Sequence, residues 1–76
     1  MILPTKYIPL SDSILGVGAI ILSKLGEPAT PSAIWEEVRD TPEVGNYERF
    51  ILALDLLFAI QAVERVRGLI QKRTIR

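Results

Sequence analysis

The chain contains no cysteine and no histidine. Their absence removes disulfides, thiolate nucleophiles, imidazole bases, a Ser-His-Asp triad and the nitrogen and sulfur ligands of an ordinary zinc site. Most hydrolytic and redox chemistry is thereby excluded. A domain without disulfides must be held by packing, and a reducing cytosol is the simplest compartment for it. A surplus of one charge sign is also missing, since nine Lys plus Arg balance nine Asp plus Glu. Long hydrophobic runs are missing as well: the nearly apolar stretches 14–22 and 50–60, the second broken by Asp55, fall short of the ~18 to 20 residues of a membrane-spanning helix. A single Lys6 before residues 14–22, and Ser23-Lys24-Leu25 after them, do not make the order of a signal peptide.

What is present is a 76-residue chain, enough for one small domain, of which 49% is apolar, with a mean hydropathy of +0.29. A domain of this size hides only about 60 to 65% of the surface that its unfolded chain exposes, so part of the apolar surface is expected to meet a partner. An interaction module is favoured over a catalyst, with no catalytic, cofactor-binding or metal-binding residue. The zero net charge also conceals an uneven distribution. Residues 27–64 carry eight acids against Arg39 and Arg49, for −6, and the last twelve residues hold Arg65, Arg67, Lys72, Arg73 and Arg76 with no acid, for +5.

Proline and glycine punctuate the chain. Pro4 and Pro9 favour an extended arm over 1–10. Ser11, Asp12 or Ser13 can cap a first helix over 13–25 that stops before Gly26. Thr30-Pro31 is a cap with proline at the first helical position, and it opens an amphipathic helix over 31–39 whose inner face carries Ile34, Trp35 and Val38. Asn46 caps a third helix over 47–61 after the turn residues 41–46. From residue 62 to 73, β-branched residues flank a turn at Arg67-Gly68, which predicts a hairpin, with a minimal strand at residues 28–30 pairing to it. The expected fold is mainly α with a small C-terminal β-hairpin: a three-helix, winged helix-turn-helix-like domain over 11–76 with the hairpin as its wing.

The series Lys6-Tyr7-Ile8-Pro9-Leu10, then residues 32–36 (Ser-Ala-Ile-Trp-Glu), then residues 47–58 and Gly68-Leu69-Ile70, resembles the small middle-component proteins of bacterial ABC-three-component systems, in particular middle component six. The resemblance spans nearly the whole chain. Its most specific portion is Phe-Ile-Leu-Ala-Leu-Asp-Leu-Leu-Phe at 50–58 followed by the hairpin. Gln61 departs from it, standing where a small residue such as glycine is expected between helix and strand. The resemblance implies a non-enzymatic component encoded beside an ABC-type ATPase and an effector-like protein, in systems directed against phages or other mobile DNA.

Gly16-Val17-Gly18 lacks the third glycine and the preceding strand of a nucleotide loop and is expected to permit close helix packing instead. Trp35 is expected to anchor the second helix in the core, and Glu36, Glu37, Asp40 and Glu43 to form an exposed acidic face. The third helix is the most informative element. A DNA reader would present basic and amide side chains there, whereas beyond Arg49 this helix offers only Asp55, which repels phosphate. The expected partner-binding residues are therefore the apolar Ile20, Ile21, Phe50, Leu54, Leu57 and Phe58, with the ATPase, an effector or a second copy as partner. The bases Arg65, Arg67, Lys72, Arg73 and Arg76 are candidates to contact nucleic acid or an acidic partner surface, and the rival use of the chain is a small winged-helix DNA-binding regulator acting through Arg65, Arg67, Lys72 and Arg73, although five charges without interleaved aromatic rings make a weak nucleic-acid signal.

Overall fold

A computed structural model describes residues 14–73 of the protein; the expected arm over 1–10, the caps at 11–13 and Arg76 lie outside the described residues. Three helices, α1 (Ile14–Lys24), α2 (Pro31–Val38) and α3 (Tyr47–Ala59), are followed by strands β1 (Val63–Val66) and β2 (Leu69–Lys72). This mainly helical order with a C-terminal hairpin is as expected. The capping chemistry is largely as the sequence prescribes. The Thr30 hydroxyl accepts the Ala33 N–H at 3.1 Å with Pro31 in the first turn of α2, and the Asn46 side chain accepts the Arg49 N–H at 2.9 Å at the start of α3. Each cap satisfies an amide that the helix leaves unpaired, a contribution of ~1 kcal/mol. Gly26, the expected stop of α1, is not among the residues with positive φ.

The loop between α2 and α3 is built on Arg49. Gly45 adopts φ 84°, and Val44 is fully buried. From the first turn of α3 the Arg49 side chain folds back, donating from Nε to the Val44 carbonyl at 3.1 Å and from a terminal nitrogen to the Glu43 carbonyl at 3.3 Å. A Cβ at Gly45 would lie 3.0 Å from Arg49 Cδ, so this glycine supplies both the left-handed turn and the room for the clamp.

Helix α3 ends two residues short of the expected boundary, and the reason is Gln61. Its φ is 64°, which stops the helix in a Schellman turn: the Gln61 N–H donates to the Phe58 carbonyl at 3.0 Å and the Ala62 N–H to the Leu57 carbonyl at 2.8 Å,. The position is one that glycine fills without steric cost, which accounts for the departure noted in the sequence. The chain then enters an antiparallel hairpin in the register Val63↔Lys72, Glu64↔Gln71, Arg65↔Ile70 and Val66↔Leu69. Its two-residue turn has Arg67 at φ 57° and Gly68 at φ 80°, the double left-handed geometry of a type I′ turn that suits the strand twist. The expected minimal strand exists as a bridge in which Ala29 N–H donates to Ile70 O at 3.0 Å and Ile70 N–H to Ala29 O at 2.7 Å.

These elements share one core of buried apolar side chains: Val17, Ile21 and Leu25 from α1, Ile34 and Val38 from α2, Val44 from the loop, Phe50, Ala53, Leu54 and Leu57 from α3, and Val63 and Ile70 from the hairpin. Helices α1 and α3 pack closely where a Cβ on Gly18 would meet Leu57 Cδ2 at 3.2 Å. Gly18 thus serves helix packing, and Gly16, the other member of the pair, is buried as well. Two measurements test this account. Gln61→Gly should raise stability by about 0.5 to 1 kcal/mol by relieving a side chain in the left-handed region, seen in calorimetry as a melting temperature higher by roughly 2 to 8 °C. Gly18→Val should destabilise by about 1 to 3 kcal/mol through overpacking against Leu57; an unchanged midpoint in urea would show that α1 and α3 have slack.

Candidate functional site

The structure corrects the expected set of partner-binding residues. Ile21, Phe50, Leu54 and Leu57 lie within the protein's own core, with Phe50 and Ile21 fully buried, so their side chains are not available to another chain. The physical reason is that α3 is apolar around most of its circumference, and its periodicity does not mark which side the first helix will cover. Phe58 and Ile20 are half-buried at the margin of the core. Ile20 also lines a shallow groove of ≈ 610 Å³ with Ala19, Ser23, Thr41 and Glu43.

The outward side of α3 is made by residues outside that set. Glu48, Leu52, Asp55 and Ala59 are all exposed, and at ~100° per residue they fall within about 60° of one another around the helix. Leu52, 54% exposed, sits between the two carboxylates. Ile60, just past the helix, is exposed to 55%. A signal for Leu52 was present in the sequence: the acids at 48 and 55 are seven residues apart, two helical turns, and mark the solvent stripe on which residue 52 must lie. Asp55 is solvated rather than buried. Arg49, the helix's one base, is engaged with the loop carbonyls.

At the start of α3 an aromatic cluster joins it to α2. Trp35 packs edge-on to Tyr47, ring centroids 5.2 Å apart at 84°, and tilted to Phe50 at 5.3 Å; Arg39 lies 6.0 Å from the Trp35 ring and pairs with Glu36 at 3.3 Å. Trp35 is therefore half-buried at the edge of the core, binding α2 to α3. The acidic residues of this region, Glu36, Glu37, Asp40 and Glu43, are exposed as expected.

The hairpin bases do not form one uniform face. Arg65 opposes Ile70, and so belongs to the hairpin face that carries the buried Ile70 and Val63; its guanidinium lies 5.8 Å from the Phe58 ring of α3. Lys72 opposes Val63 on that same face, Arg67 occupies the turn, and Arg73 follows the ladder with its N–H donating to the Ala62 carbonyl at 3.0 Å. The opposite face carries Glu64 hydrogen-bonded to Gln71 at 2.7 Å, and beyond them the cross-strand pair Val66 and Leu69, exposed to 41% and 36%. The turn thus ends in two apolar side chains beside a cation. Among the described residues no helix is long and apolar enough to cross a membrane.

The described residues thus form a small helical domain with a C-terminal hairpin, an apolar-acidic outward side on the third helix and an apolar-basic hairpin turn. The chain belongs to the ABC-three component (ABC-3C) system Middle Component 6 family, whose model matches residues 3–72. Being a component of a multi-protein system implies protein partners. Comparison with curated proteins and with solved structures yields no significant match.

The division between core and surface apolar residues makes a sharp prediction. Leu54→Ala should cost about 2 to 5 kcal/mol, while Leu52→Ser, two residues earlier, should change stability by no more than about 0.5 kcal/mol. Chemical denaturation of the two variants checks this; equal losses would mean that the outward stripe is misplaced.

Proposed function

We propose that this protein is a non-catalytic adaptor that links the ABC-type ATPase of its system to the effector component, in a bacterial cytosolic conflict or phage-defence system. The observation that carries the proposal is the outward stripe of α3. In a winged helix that reads DNA this surface enters the major groove and supplies donors to base edges and cations to phosphates. Here it supplies Glu48, Leu52, Asp55 and Ala59. Two carboxylates repel the backbone, and an exposed leucine between them favours a protein surface with apolar and basic groups. Family membership supports the same reading, since the component is named for its place in a three-part system.

The experiment is co-purification of the tagged protein with the products of the adjacent genes, for the wild type and for Leu52→Asp. The wild type should retain the ATPase, and the variant, folded by circular dichroism, should lose it. Absence of any neighbour in the wild-type eluate at low salt would refute the adaptor role.

The exposed bases of the hairpin favour one second reading, a DNA-binding regulator using Arg65, Arg67, Lys72 and Arg73. It requires a mobility shift whose affinity falls steeply with salt and disappears in the Arg65→Ala, Arg67→Ala double variant. Adaptor activity alone predicts no shift at physiological salt.

A further inference from the structure

We infer that copies of this protein associate head to tail, with the hairpin turn of one copy seated on the outward stripe of α3 in the next. The inference rests on the adaptor reading only in taking that stripe as a protein-binding surface. Three observations carry it.

The first is complementarity of charge and polarity on one chain. The stripe places Leu52 between Glu48 and Asp55, all exposed. The hairpin turn places the exposed pair Val66 and Leu69 beside the exposed Arg67. One surface is apolar with acids around it and the other is apolar with a base at its centre, so docking brings apolar side chains together and opposite charges alongside them. Every copy that exposes the stripe carries the turn that fits it.

The second is that, among the described residues, the core draws on neither surface. The core takes its hairpin residues from the opposite strand face, Val63 and Ile70, and the α3 residues it takes, Phe50, Ala53, Leu54 and Leu57, lie on the inner side. Arg65 is set over Phe58, whereas Arg67 is exposed in the two-residue turn. The third is the balance of nine bases and nine acids: at zero net charge copies do not repel one another at long range, a condition that favours association.

Because the two surfaces differ, the contact is heterologous, and an assembly of any length keeps one stripe free at one end and one turn free at the other. This geometry gives a direct test. Sedimentation velocity of the full chain should show self-association that rises with protein concentration and weakens as sodium chloride is raised, because the charge pairs are exposed. Arg67→Glu and Asp55→Lys should each weaken it by about tenfold or more, the expected scale for reversing an interfacial charge. Mixed in equal amounts, the two variants should regain association, since the intact stripe of one meets the intact turn of the other and the reversed pair, 67 against 55, is again of opposite charge. A third variant, Glu27→Lys, changes charge outside both surfaces and should associate as the wild type does. A wild type that stays monomeric at all concentrations overturns the inference, as does association that neither reversal disturbs, or a mixture that stays monomeric while each variant is folded. The adaptor reading is judged separately by co-purification with the ATPase, so either proposal can fail while the other stands.

Discussion

Leu57 is the residue on which this fold turns. Its side chain, almost wholly buried, occupies the place that Gly18 leaves open on α1, and its carbonyl receives the Ala62 N–H that closes the end of α3. Side-chain packing and chain reversal are therefore joined at one position. The glycine lets two helices approach closely, and the buried leucine then sets where the chain must leave the third helix. Ala62 accepts the Arg73 N–H in turn, so the base of the hairpin is placed by the same turn. From there Ile70 reaches both the core and Ala29, which ties the wing back to the segment between the first two helices. A small domain without disulfides depends on such shared positions, since it has too little interior for independent layers.

Much of this was legible in the sequence because it is written in residues with local consequences. Thr30-Pro31 and Asn46 start helices through a side-chain oxygen placed at the amides that need it, and Arg67-Gly68 between β-branched runs makes a two-residue turn. Even the oddity at Gln61 pointed to its cause, a left-handed backbone at which glycine is the easier residue. What was not legible was the orientation of α3. Its apolar residues occupy nearly every position, and a continuous apolar pattern does not say which side faces α1. That choice is made by the notch at Gly18, a long-range feature that no periodicity records. The assignment of Ile21, Phe50, Leu54 and Leu57 to a partner surface failed for this reason, and the exposed Leu52 was overlooked although Glu48 and Asp55 bracket it.

The same contrast separates the roles of the basic residues. Arg49 and Arg39 both lie in the acidic middle of the chain, and both are engaged within it, one on loop carbonyls and the other on Glu36 and Trp35. The bases of the hairpin have fewer such ties, Arg65 with Phe58 being the exception. Division of charge along the sequence thus corresponds to a difference in setting: Arg39 and Arg49 are tied to the acidic body, while the hairpin bases Arg65, Arg67, Lys72 and Arg73 are exposed. The outward side of α3 presents carboxylates and a leucine to solvent, so on this helix it is a few exposed positions, not the element order, that set the chemistry offered to a partner,.

Two non-glycine residues, Gln61 and Arg67, hold left-handed backbone on either side of β1. Such positions leave a protein with headroom: single replacements that suit the backbone better are within easy evolutionary reach, yet the chain has not been driven to its stability optimum. At Arg67 the side chain that strains the turn is also the one that carries charge at its tip, so a glycine there would relax the backbone and silence the surface in the same step. The stability of the hairpin and the charge at its tip therefore cannot be changed independently at this position.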